Sequence, residues 1–135
     1  MYSFTITKNQ FWIHRIAKNQ AFQEEIKHLL QSIKSLNSSD FNMPAYGLYQ
    51  KLLSKPLTDS KRYENIDRLI IIPDGRLYLL PFEAFITEKP RIKDINPKFV
   101  LSQYIVTYAY SATQLIKKHE HQHDQKASRL FAAYA

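Results

Sequence analysis

At 135 residues the chain is long enough for one domain with its own core, and 44% hydrophobic with 13% aromatic content can fill it. The absence of cysteine excludes disulfides, thiolate metal sites and a thiol nucleophile within these residues. Nineteen Lys and Arg against twelve Asp and Glu give a formal charge of +7, but the cations are scattered and do not interleave with exposed aromatics, so nucleic-acid binding is only a minor alternative.

Residues Met1 to Lys8 lack the charged-then-apolar shape of a signal peptide, and no apolar run approaches the roughly 18 residues of a membrane span. A cytoplasmic location follows by default. The first predicted element is a hairpin. Tyr2, Phe4 and Ile6 alternate with Ser3, Thr5 and Thr7, and Phe11, Ile13 and Arg15 alternate with Trp12, His14 and Ile16, with Lys8-Asn9-Gln10 as the connection. A strand opening at residue 2 suggests an upstream region. Trp12 and His14 share a face, and His14 reads as a packed or solvated residue rather than a ligand.

Phe22, Ile26, Leu29, Leu30, Ile33 and Leu36 fall on a stripe of 3.6-residue period, predicting a helix capped by Asn19, with Glu24 and Glu25 in its first turn. The stripe is expected to pack on the domain's own sheet. Asn37-Ser-Ser-Asp40 reads as a mobile loop. A second helix is expected to open near Asp40 to Pro44 and to carry Ala45, Leu48, Tyr49, Leu52 and Leu53 inward. Ser54-Lys-Pro56 should end it, because the residue before Pro is pushed out of the α region. Thr58 to Asn65 then reads as a surface connection.

Leu69 to Ile72 is a short β-branched run and predicts a strand covered on both faces. Pro73 ends it, Asp74-Gly75 supplies reversal chemistry before Leu77-Tyr78-Leu79, and Pro81 suits the start of a short helix bearing Glu83. Thr87 to Lys98, with Pro90 and Pro97, reads as a polar excursion. Ser102 to Tyr110 predicts an interior strand with Tyr104, Val106 and Tyr108 on one face and Ile105, Thr107 and Ala109 on the other. Ser111 is placed to cap a helix over Thr113 to Lys118. A nucleophile reading of Ser111 lacks any glycine elbow.

The segment Ile71-Ile-Pro-Asp-Gly-Arg-Leu-Tyr-Leu-Leu-Pro-Phe-Glu-Ala-Phe85 resembles the signature of CHAT domains, the bacterial caspase-like and separase-like peptidase family often attached to tetratricopeptide repeats. Gly47-Leu-Tyr-Gln-Lys-Leu-Leu-Ser-Lys-Pro-Leu57 before it and Tyr104-Ile-Val-Thr-Tyr-Ala-Tyr-Ser-Ala-Thr113 after it are similar in the expected order, although the family more usually has Pro at the place of Tyr110. Tyr2 to Ile16 is similar to the family's upstream hairpin. The signature positions are Pro73, Asp74, Gly75, Leu77, Leu80, Pro81, Phe82, Glu83, Ser111, Ala112 and Thr113.

The resemblance implies an α/β fold, a mixed sheet with flanking helices, and only the N-terminal half of it, over residues 1–135. The family's catalytic His and Cys belong to the C-terminal half. The chain, cysteine-free, is therefore expected to be a non-catalytic scaffold portion without a cofactor. Its implied partners are that catalytic half, a tetratricopeptide-repeat region ahead of it, and a second copy through exposed apolar surface. The competing reading is a stand-alone interaction or regulatory module.

His119, His121 and His123, with Glu120 and Asp124 nearby, could converge on Zn²⁺ or Ni²⁺ only if that segment were extended. In a helix, residues two apart diverge, and the surrounding composition reads as a solvated linker.

Overall fold

The computed structural model describes residues 1–36, 38–62, 65–91 and 96–117. His119, His121, His123 and Lys118 lie outside the described residues. The chain opens with strands β1 (Tyr2–Ile6) and β2 (Phe11–Arg15), paired antiparallel so that Tyr2 faces Arg15, Phe4 faces Ile13 and Ile6 faces Phe11. The expected hairpin is therefore present. Its turn is closed by Thr7 N donating to the Gln10 carbonyl at 2.9 Å.

Helix α1 (Gln20–Ser35) starts where its sequence predicts, with the Asn19 Oδ1 accepting from Phe22 N at 3.0 Å. Phe22, Ile26 and Leu29 are buried, while Ile33 and Leu36 at the end of the stripe stay exposed. Glu24 and Glu25 lie one turn beyond the helix start, because the helix begins at Gln20. Leu36 ends the helix in the left-handed region, φ 53°, with its N–H directed to the carbonyls of Ile33 and Ser32.

Helix α2 (Ser38–Tyr49) follows at once, so the polar run of residues 37–40 is a tight corner and a helix start rather than a loop. Serine and aspartate are good first-turn residues, and they open the helix before the point marked by Pro44. The apolar stripe of α1 packs mainly on α2, helix against helix, rather than on a sheet. Gly47 is the point of closest approach. A Cβ there would meet the Glu25 carboxylate, which instead pairs with the Lys51 ammonium.

Pro56 does not end the second helical rod. Gln50–Ser54 forms a π turn, and helix α3 (Lys55–Lys61) continues the rod past Pro56. A proline ring collides with the carbonyl four residues back in a regular helix, and the widened turn moves that carbonyl aside. The rod therefore keeps Ala45, Leu48, Leu52 and Leu57 buried along its whole length, and Thr58 to Lys61 is helical instead of a connection.

Strand β3 (Arg68–Ile71) pairs in parallel with β4 (Ile105–Tyr108), with Leu69 opposite Val106 and Ile71 opposite Tyr108. The strands form where the β-branched runs predict. Among the described residues the four strands make two separate two-stranded sheets rather than one mixed sheet. Only one face of β3 and β4 is covered. Leu69, Ile71 and Val106 pack against the core, whereas Ile70, Ile72 and Ile105 are 41–56% exposed. The apolar residues that predicted burial on both faces thus face outward on one of them.

The crossover between β3 and β4 carries the signature. Leu77-Tyr78-Leu79 is not a strand: Gly75 at φ 54° turns the chain, Leu77 N donates to the Asp74 carbonyl at 3.1 Å, and Gly75–Leu79 coils as a 3₁₀ turn. A second 3₁₀ turn, Phe82–Ala84, follows Pro81. Ile86 then bridges Phe99, and Thr87 N donates to the Lys98 carbonyl at 2.8 Å, so the polar excursion leaves and returns at one point. Ser111 caps the helical residues 112–117, accepting from Gln114 N at 3.1 Å.

One core joins all of these pieces. Phe22, Leu29, Leu48, Phe85, Ile86 and Val100 are fully buried at its centre, with Leu80, Phe82 and Tyr104 around them. The molecule is an α/β structure in which the helical pair and the signature crossover share that core.

Candidate functional site

The carboxyl ends of β3 and β4, the second half of the signature crossover and the end of α1 enclose an open groove of about 600 Å³. Open parallel sheets characteristically receive ligands beyond the carboxyl ends of their strands. One wall is Tyr78 to Pro81 with Glu83, the second is Tyr108 to Tyr110, and the third is Leu30, Ile33 and Lys34. The lining is mostly apolar, with Lys34 and Glu83 as its charged members.

Two tyrosines tie the walls together. The Tyr108 hydroxyl donates to the Glu83 carboxylate and accepts from Phe82 N at 2.8 Å, and its ring packs edge-on to Phe82 at 6.3 Å. The Tyr78 hydroxyl donates to the Tyr110 carbonyl at 3.0 Å. Burial pushes the Tyr108 phenol up to about 12, reinforced by its hydrogen bond to Glu83 and partly opposed by the Phe82 N–H. Tyr108 is therefore a neutral donor at any physiological pH, and it holds the signature turn against the end of β4.

The signature positions divide by role. Leu80 and Phe82 are core residues, Pro73 is buried at the exit of β3, Gly75 supplies the positive φ, and Leu77 packs against the core from its margin. Pro81 and Glu83 line the groove. Asp74 is exposed and contributes its carbonyl to the turn, Ser111 is the helix cap, and Ala112 and Thr113 are exposed in the first helical turn. The structure thus brings the middle of the signature together with Tyr108 and Tyr110, and leaves Ser111 to Thr113 at the rim. The part of Tyr108 was not legible in the sequence: alternation placed it on the inner face, but nothing in the pattern named Glu83 as its acceptor.

No group of three or more His, Cys, Asp or Glu able to hold a metal occurs among the described residues. His14 is buried, with its Nε2 3.9 Å from the Asp59 carboxylate and Lys55 on the same carboxylate at 3.4 Å. It is a packed residue, remote in chemistry from the groove. Among the described residues no helix is long and apolar enough to cross a membrane.

A helical pair and a parallel strand pair sharing one core, with a groove at the strand ends built from a Pro-Asp-Gly crossover, define an α/β domain of peptidase-like pattern without a nucleophile. The family model for the CHAT domain matches residues 43–134, more than half of the chain, and the chain belongs to the CHAT domain family. The match begins within α2, so β1, β2 and α1 lie outside it. No curated protein and no solved structure matches the chain.

Proposed function

We propose that this chain is the non-catalytic scaffold portion of a CHAT-domain cysteine peptidase, packing against a second half that carries the His/Cys dyad. The observation that carries this reading is the outer face of β3 and β4. Ile70, Ile72 and Ile105 are exposed there in strands whose composition belongs to a sheet covered on both sides. Membership of the family supports the identity of what covers it. The absence of any thiol in the chain supports the non-catalytic role. In this reading the groove at the strand ends abuts the catalytic half, and the Tyr108–Glu83 tie fixes the shape of its near wall.

The experiment is expression of the chain alone and together with the continuation of its coding sequence. The chain alone is expected to show no peptidase activity sensitive to thiol blockers. The continuation is expected to encode a His-Gly pair and a Cys after apolar strands, to copurify with the chain, and to release it when Ile70→Lys and Ile105→Lys are introduced. Thiol-sensitive cleavage by the purified chain alone would overturn the proposal, as would a continuation with neither residue.

A further inference from the structure

The hairpin packs on the molecule with its more polar face. Ser3, Thr5, Thr7, Trp12 and His14 are buried or half-buried, while the other face presents Tyr2, Phe4, Ile6, Phe11 and Ile13 at 56–73% exposure. This inverts the usual arrangement of a half-buried antiparallel sheet, in which the apolar face is the covered one. Phe4 and Phe11 stack at 6.2 Å between ring centres, so the five side chains form a continuous patch. The patch belongs to the part of the chain that the family match leaves out, and so to a different surface from the one assigned to the catalytic half.

We infer that the outer face of the β1–β2 hairpin is a homotypic interface, covered by the same face of a second copy of this chain. Two features select that occupant. The first is area. Large side chains bury on the order of 150–250 Å² each when fully covered, so at these exposures the five leave roughly 500–600 Å² per copy. Two copies would bury about 1,100 Å² of side chain, close to the ~1,200 Å² at which specific interfaces begin. The outer face of β3 and β4 offers three isoleucines interrupted by Arg68 and Thr107, a smaller and more broken surface.

The second feature is charge. Arg15 is the one charged residue on the outer face of the strands, and it sits at the Tyr2 end, opposite the Ile6–Phe11 end. A two-fold axis across the strands places the Arg15 of one copy beside the Phe11 ring of the other. Guanidinium over an aromatic face is favourable, and the two arginines stay at opposite ends of the contact. The alternative axis, along the strands, brings the two arginines together and is disfavoured. The geometry therefore defines an antiparallel, face-to-face pair of hairpins with an interior of ten apolar side chains, five from each copy.

Light scattering on the purified chain from micromolar to submillimolar concentration tests this. The chain is expected to pass from monomer to dimer across that range. Phe4→Lys and, separately, Ile13→Lys are expected to weaken the dimer at least tenfold, with far-UV circular dichroism and thermal midpoint unchanged because both side chains are already exposed. Arg15→Glu is expected to weaken it less than either. A chain that stays monomeric throughout overturns the inference. So does association that survives Phe4→Lys and Ile13→Lys but is lost in Ile70→Lys. That last outcome assigns self-association to the β3–β4 face and leaves the scaffold reading to its own test.

Discussion

The Tyr108 hydroxyl sits between the Glu83 carboxylate, to which it donates, and the Phe82 amide, from which it accepts at 2.8 Å. One side chain from β4 therefore satisfies two groups of the signature turn, which has too few residues to form a helical ladder of its own. Tyr108→Phe keeps the ring contact with Phe82 and removes only the oxygen. It leaves the part-buried Phe82 N–H without its acceptor, and an unsatisfied buried donor costs about 1–3 kcal/mol. Glu83→Gln retains an acceptor, and its cost is expected to stay below about 1 kcal/mol. Urea unfolding of the two variants checks the order. Equal losses would mean that the charge on Glu83, and not the Phe82 amide, is what Tyr108 serves.

The same hydroxyl gives a pH dependence with a definite sign. Its folded pKa, near 12, stands above the unfolded tyrosine value of 10.0. The stabilisation is therefore fully present below pH 10 and is lost as the pH rises from there through about 12, because the unfolded chain releases the proton first. Ultraviolet difference titration should show that one of the nine tyrosines ionises last, together with unfolding. Tyr49 is also raised, mainly by burial, so the titration should have two late members. Tyr108→Phe should remove the later of them and leave the other; retention of both late steps would place the highest pKa elsewhere.

Local chemistry in this chain was legible from the sequence and long-range arrangement was not. Asn19 and Ser111 cap the helices for which their positions suit them, because a cap involves a side chain and a backbone amide three residues apart. Strands β1 to β4 form where apolar alternation or a β-branched run exists. Pro56 misled because its effect depends on whether the preceding turn can widen, and the widening is stabilised by the burial of Leu52 and Leu57 from elsewhere in the fold. The Leu77-Tyr78-Leu79 run misled because its alternation is that of a strand, whereas Gly75 and the Asp74 carbonyl commit it to a 3₁₀ turn. Of the groove, the signature wall could be read from residues, but its tie to Tyr108 and Tyr110 spans about thirty positions and is a product of the parallel pairing.

Leu36 offers a substitution that should stabilise the protein. It ends α1 at φ 53° with its side chain 92% exposed, so the left-handed conformation is not compensated by packing. An L-residue with a Cβ pays about 1–2 kcal/mol there, and glycine does not, although glycine also gains about 0.5–1 kcal/mol of freedom in the unfolded chain. Leu36→Gly should therefore raise stability by a few tenths to about 1 kcal/mol, and Leu36→Asn by less. A lower melting midpoint for Leu36→Gly would mean that the exposed leucine is covered in solution.

The π turn at Gln50–Ser54 can be tested by removing the residue it accommodates. Deleting exposed Gln50 restores a regular helix, and with it the clash of the Pro56 ring with the preceding turn, worth about 3 kcal/mol. The deletion also rotates α3 by about 100° relative to α2, carrying Leu57 away from the core and forfeiting about 1.5–3 kcal/mol of burial. If the proline alone required the turn, Pro56→Ala in the deletion background would restore the original stability. We expect it to recover only the proline component, with the variant still about 2 kcal/mol short of the parent by urea unfolding, because Ala45, Leu48, Leu52 and Leu57 share one buried line only when the extra residue is present. Full recovery would assign the turn to Pro56 and leave the register of α3 without a role.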